Sequence, residues 1–352
     1  MKLNEPSAET KKGESKRRFG WRWAVAAVTL LFGWFCFCFL VPPAFDQEPM
    51  PDPNGYEYFI RAGEMVTYDR NLLTNDNDLA WSRPIYDSNQ LALAEFRRGL
   101  EFECRVPRLP VDEGSWQSFL GESISVRQIR VVLRADAVLL RAAGRHEHSA
   151  RCGMEMIRFG HKVCRGGVVI NALGSITAIS SGEDILREEC RNLDVQTLRS
   201  YCLELLELDA KREEYDEILA RDRKVDRVAY SSLADTLDRL RDLVDFETKR
   251  QIRFHFEWMR TRSRLLIVKL ALEAHRKETG AHPSELAELL PSVLKEIPED
   301  PFGNPEFAYV RKADGYLLYS YGPDGVDDGG MLIDKNTIKS RKPKGDVTFD
   351  RW

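Results

Sequence analysis

Two stretches of this 352-residue chain carry side chains whose types and spacing suit a metal ion. The first is Tyr321-Gly-Pro-Asp-Gly-Val-Asp-Asp-Gly-Gly330, where Asp324, Asp327 and Asp328 supply carboxylates and four glycines permit tight bending. Ca²⁺ takes about six to eight oxygens, so a site needs several carboxylates brought together with backbone carbonyls. The order is not that of an EF-hand, which wants acids at alternate positions and a closing glutamate. Pro-Asp-Gly and Asp-Gly are also ordinary turn formers, so the loop has a purely structural alternative. The second stretch places His146, His148, Cys152, His161 and Cys164 within 19 residues, all types that bind Zn²⁺. Their spacing matches no zinc motif, and the simpler expectation is buried cysteines with exposed histidines.

Enzymatic signatures are missing. There is no His-Glu-x-x-His, no Gly-x-x-x-x-Gly-Lys-Ser/Thr and no Gly-x-Ser-x-Gly, and Gly121-Glu-Ser-Ile-Ser125 lacks the second glycine of the last pattern. Carboxylates converging from distant helices leave no such local trace, so a hydrolase site around His146, His148 and His161 stays open as an alternative.

The elements that must position these groups are mainly helical. Val126, Ile129, Leu133, Ala137 and Leu140 recur at spacings of three and four, as do Val195, Leu198, Cys202 and Leu205, and again Leu233, Leu237, Leu240 and Val244. Arg127, Arg130, Arg134 and Arg141 fall on other faces of the first of these helices and read as solvated. Gly166 to Ile179 is apolar nearly all round, the pattern of a helix buried among others. The charged run 206–228 reads as a solvated helix or a boundary. Beyond His282-Pro283 a short helix over Ser284–Leu290 is expected. The period then changes to the alternation of a β-hairpin over Glu306–Tyr321, turning at Lys312-Ala-Asp-Gly315.

Residues 23–41 run 19 positions without a charge, about the length that crosses a bilayer core. Lys11, Lys12, Lys16, Arg17, Arg18 and Arg22 precede this run, and Pro42, Pro43, Asp46 and Glu48 follow it, an asymmetry that keeps the N-terminus in the cytoplasm. A cleaved signal peptide shares the basic start, but the run is longer than a usual signal core and no small-x-small site follows. The expected organisation is a basic cytoplasmic tail (1–22), a transmembrane helix (23–41) in contact with lipid, a Pro-rich stalk (42–56), a helical domain (57–262) and a C-terminal helix-plus-hairpin domain (263–352). Seven Lys/Arg and three Glu lie in residues 1–22, so the remaining chain holds 45 basic against 53 acidic residues. An acidic body is a poor counterion for phosphate backbones, and no nucleic-acid partner is expected. Cys104, Cys152, Cys164, Cys190 and Cys202 lie beyond the span, where one or two disulfides can form.

Three blocks in order carry a resemblance. Leu266 to Leu290, with its His-Arg-Lys-Glu-Thr-Gly-Ala-His-Pro, leads to Ile297-Pro-Glu-Asp-Pro-Phe-Gly-Asn-Pro305 and then to Gly315-Tyr-Leu-Leu-Tyr-Ser-Tyr-Gly-Pro-Asp-Gly-Val-Asp-Asp-Gly-Gly330. Together they resemble the C-terminal part of the major pseudopilin of type II secretion, in a form also found in single-pass proteins of Planctomycetes-type bacteria. The resemblance covers about 85 residues, a quarter of the chain, and implies a small α+β domain with a calcium site. It implies as ligands Asp324, Asp327 and Asp328, the later Asp346, and the carbonyls of Leu318 and Ser320. The chain departs from that family elsewhere. Val25 stands where a glutamate is needed at the fifth position after a cleavage at Gly20, and a stalk with more than 200 helical residues separates anchor from end. The sequence therefore leads to a mainly α, membrane-anchored protein of the bacterial inner membrane. Its body lies outside the cytoplasm and binds a protein partner, its end is calcium-stabilised, and Zn²⁺ is not expected.

Overall fold

The computed structural model describes residues 28–30, 33–34, 49–68, 79–107, 113–229, 246–303, 306–334, 337 and 343–349. The chain divides into two compact units, 47–223 with 245–352 and 1–46 with 224–244. The second of these is described only at Val28–Leu30, Gly33–Trp34 and Lys224–Ala229, all helical. The expected span 23–41 and the Leu233–Val244 stripe thus lie almost wholly outside the described residues, among which no helix is long and apolar enough to cross a membrane.

The main unit is mainly helical: α1 Gly55–Glu64, α2 Leu79–Ser88, α3 Gln90–Leu100, α4 Glu113–Ala142, α5 His146–Cys164, α6 Val169–Glu189, α7 Val195–Ala210, α8 Tyr215–Ala229 and α9 Phe246–Thr279. Polar residues mark the starts. The Asn54 side chain accepts from the backbone of Tyr56 at 3.1 Å, and Asp194 accepts from Thr197 at 2.8 Å, each satisfying a donor that the first turn leaves free. Gly55 and Tyr56, expected to close the stalk, already belong to α1 and are buried.

Helix α5 sits between two cores because it is apolar on two faces. Cys152, Met156, Phe159 and Val163, spaced by three and four, join α1 to α4 around the mutually tilted rings of Phe59, Phe96 and Phe159. Ala150, Met154 and Ile157 face a second core formed with α6, α7, α9 and the C-terminal sheet. Helices α5 and α6 approach closely where both lack side chains: a Cβ on Gly182 would stand 2.4 Å from the Gly153 carbonyl oxygen. The run expected to be a helix from Gly166 begins its helix at Val169, whose entry is fixed by Asn171 Oδ1 accepting from the Val168 N–H at 3.0 Å.

The expected change of texture after residue 282 is present. A 3₁₀ turn at Leu286–Leu289 stands where a short helix was expected. Strands β1 Ala308–Lys312 and β2 Gly315–Ser320 pair antiparallel from Ala308↔Tyr319 to Lys312↔Gly315, leaving Ala313-Asp314 as a two-residue turn. A third strand, β3 Val347–Thr348, pairs with the end of β2. The division placed at 262/263 falls inside α9, and Leu265 to Ala274 of that helix pack into a core shared by α7 and the sheet.

Two expectations need correction. The Arg faces of α4 are not simply solvated: Arg130 donates to Ser181 at 3.2 Å and Arg141 pairs with Glu188 and the buried Glu189, so these side chains tie α4 to α6. The five cysteines beyond the span, where disulfides had been allowed for, are all free thiols, four of them buried.

Candidate functional site

The acidic loop is built by its own backbone. Asp346, fully buried just before β3, accepts from Gly330 N–H at 2.6 Å and from Asp328 N–H at 3.4 Å. Asp327 accepts from Gly329 N–H at 2.9 Å and from the Tyr319 hydroxyl at 2.8 Å, while Asp324 closes its own turn onto Val326 N–H at 3.3 Å. Ser320 is buried in β2 with its hydroxyl oxygen accepting from Gly322 N–H, and Leu318 is buried on the same strand. Burial raises the Asp346 carboxyl above its usual range. The two backbone N–H donors oppose that rise, and Asp328 and Asp327 add to it. Tyr319 is raised by burial and by its bond to Asp327. The Asp346 carboxyl therefore feels the charges of Asp328 and Asp327.

Among the described residues no group of three or more His, Cys, Asp or Glu side chains is arranged to hold a metal ion. The donor chemistry nevertheless suits a hard cation, since a carboxylate that accepts one N–H per oxygen keeps further lone pairs free.

The His/Cys cluster does not converge on one site. All five residues lie on α5, and His146 and His148 are about 20 Å from His161 along the helix axis at its usual rise. His146 Nδ1 lies 2.8 Å from Glu189 Oε2, and His148 is exposed. Cys152 is buried beside Asp136 and Arg97, and burial with the Asp136 charge drives its thiol far up, out of the reactive range. The three histidines do not meet at one site.

His161 and Cys164 do meet other groups. They open onto a cavity of about 50 Å³ with Ser175 of α6 and Lys211, Arg212 and Glu213 of the α7–α8 turn. The rest of its lining is mostly apolar: Ile176, Ile179, Ile218, Phe256 and Met259. Burial, helped by Arg212, holds the His161 imidazole far below its usual value and so neutral near pH 7. Burial likewise pushes the Cys164 thiol up to about 11, so it stays protonated. Glu213 is already engaged, accepting from Arg221 at 3.0 and 3.1 Å and from Gly166 N–H at 3.1 Å.

Behind the cavity lies a network that the sequence reading missed. Asp209 serves three guanidinium groups: Arg264 at 2.8 Å, Arg260 at 3.5 Å and Arg212 at 3.6 Å. Ser263 donates to the buried Glu183 and accepts from Arg212 at 3.2 Å, while Arg262 lies 3.7 Å from Glu183 and donates to Asp184 at 3.1 Å. A signal existed: Arg260, Arg262 and Arg264 alternate just before the all-apolar turn Leu265–Val268. Charges at core positions announce partners.

No protein-family model, no curated protein and no solved structure matches this chain.

Proposed function

We propose that the chain is a single-pass envelope protein. Residues 23–41 anchor it in the inner membrane with the N-terminus in the cytoplasm, the helical body outside binds a protein partner, and the end resembling the major pseudopilin is stiffened by Ca²⁺. The observation that carries this reading is the 19-residue uncharged run with six basic residues before it and prolines and acids after it. Reporter fusions after residue 60 should be active only outside the cytoplasm, and alkaline carbonate should leave the protein in the membrane fraction. Release of a shortened soluble form would show a cleaved signal instead. A hydrolase centred on the histidines of α5 is less well supported, because His161 stands too far along the helix to act with His146 and His148.

The calcium part rests on Asp327, Asp328 and Asp346 with the resemblance of the blocks around them. Binding would gather these carboxylates and offset their mutual repulsion. Millimolar Ca²⁺ should raise the melting temperature of the full chain, and Asp327→Ala with Asp328→Ala should remove that rise while leaving the protein folded. An unchanged melting temperature in the parent chain would reduce the loop to a set of turns.

A further inference from the structure

The cavity beside His161 includes no residue of the acidic loop, and its lining combines basic and apolar side chains. Arg212, Lys211 and the neutral ring of His161 line it together with the apolar Ile176, Ile179, Ile218, Phe256 and Met259. Among the described residues the His161 ring makes no hydrogen bond, so its donor and acceptor are free for an occupant.

Charge makes the cavity selective. The Arg212 guanidinium is largely buried, and its Nε makes no hydrogen bond. The nearest carboxylate, Asp209 at 3.6 Å, is shared with Arg260 and Arg264, and its closer contact goes to Arg264. The second carboxylate in reach, Glu183, is itself pushed up by burial to about 7, so it is only partly ionised near neutrality. Glu213, the one carboxylate lining the cavity, is held by Arg221. Arg212 is thus a largely buried cation whose nearest carboxylate among the described residues stands 3.6 Å away, a situation that burial penalises and an anion relieves.

Size and the apolar wall narrow the occupant. About 50 Å³ of water-sized space admits only a small occupant. A bare tetrahedral anion would leave the isoleucines and Phe256 facing water, whereas a carboxylate with a short hydrocarbon tail suits both kinds of lining residue.

We propose that this cavity binds a short-chain carboxylate, with the anionic head on Arg212 and the His161 ring and the tail against Ile176, Ile179 and Phe256. The test is calorimetric titration of the full-length chain in a nonionic detergent with sodium butyrate, sodium acetate and inorganic phosphate, alongside thermal melting. Butyrate should bind once per chain and raise the melting temperature. Acetate should bind about tenfold more weakly, the effect of two lost methylenes. Arg212→Met should weaken butyrate at least tenfold. Because that variant removes a buried charge and can fail to fold, Ile176→Phe provides the independent arm. It fills the cavity from the half-exposed apolar side, leaves the ionic network alone, and should abolish butyrate binding with little change in melting temperature. No butyrate binding at millimolar concentration, equal binding by Ile176→Phe, or phosphate or acetate binding as tightly as butyrate would each overturn the proposal.

Discussion

Glu183 is 1 % exposed, accepts from the Ser263 hydroxyl and lies 3.7 Å from the Arg262 guanidinium. Burial raises its carboxyl from an ordinary 4.5 to about 7, against the opposing pull of Arg262, Ser263 and Arg212, with Asp184 adding to the rise. The folded state therefore holds this proton more tightly than the unfolded chain. The stabilisation is fully present below pH 4.5 and is lost as the pH climbs through 7. Glu183→Gln keeps the shape and the acceptor but cannot ionise. Melting temperatures recorded from pH 5 to 8 should fall less steeply for this variant than for the parent chain, by an amount worth roughly 1–3 kcal/mol across the window. Identical slopes would mean that Glu183 stays ionised or stays protonated throughout. Local sequence could not reveal this residue's state, since a glutamate that shares its helix with Asp184, Glu188 and Glu189 reads as surface until α9 is laid over it.

At the scale of elements, the packing of α5 on α6 turns on absent side chains. Gly153 and Gly182 face each other so closely that a Cβ on either would meet the other's carbonyl oxygen, at 2.8 and 2.4 Å, and Gly160 would press its own against Ile179. Backbone cannot give way as a side-chain tip can, so the helices themselves must separate. Gly182→Ala should destabilise the chain by about 2–3 kcal/mol although alanine is the better helix former, as read by chemical denaturation. Gly174→Ala is the control: no atom lies within 4 Å of its would-be Cβ, so helix propensity alone should make it neutral or slightly stabilising. The stripes of α4 and α7 were legible because three-and-four spacing of apolar residues has one physical cause. Close approach was not, since a helical glycine in sequence carries no record of what it faces.

For the whole molecule, α9 decides what can fold alone. Leu265, Leu266, Val268, Leu270 and Leu272 are fully buried in a core that also takes Leu198 and Cys202 of α7 and Phe307, Leu318 and Val347 of the C-terminal end. A fragment of residues 261–352 would carry the hairpin and its loop but expose the α7-facing side of this helix, at about 2 kcal/mol for each large apolar side chain left in water. It should lack a cooperative melting transition in isolation, and residues 47–352 should melt with the hairpin and helical body in one step. A cooperative transition in the fragment would show that the pseudopilin-like end is autonomous. What the sequence determined by itself was what depends on near neighbours along the chain. That includes the helical periods, the hairpin with its two-residue turn, the glycine-bent acidic loop, and the uncharged run flanked by basic residues. What tertiary structure alone decided was which distant groups meet. It parted His161 from His146, kept the cysteines apart as free thiols, drew Arg212, Arg260 and Arg264 around one aspartate and set a cavity beside them. The physical reason is that periodicity fixes a side chain's face, whereas its partner, burial and ionisation depend on which other helix covers that face.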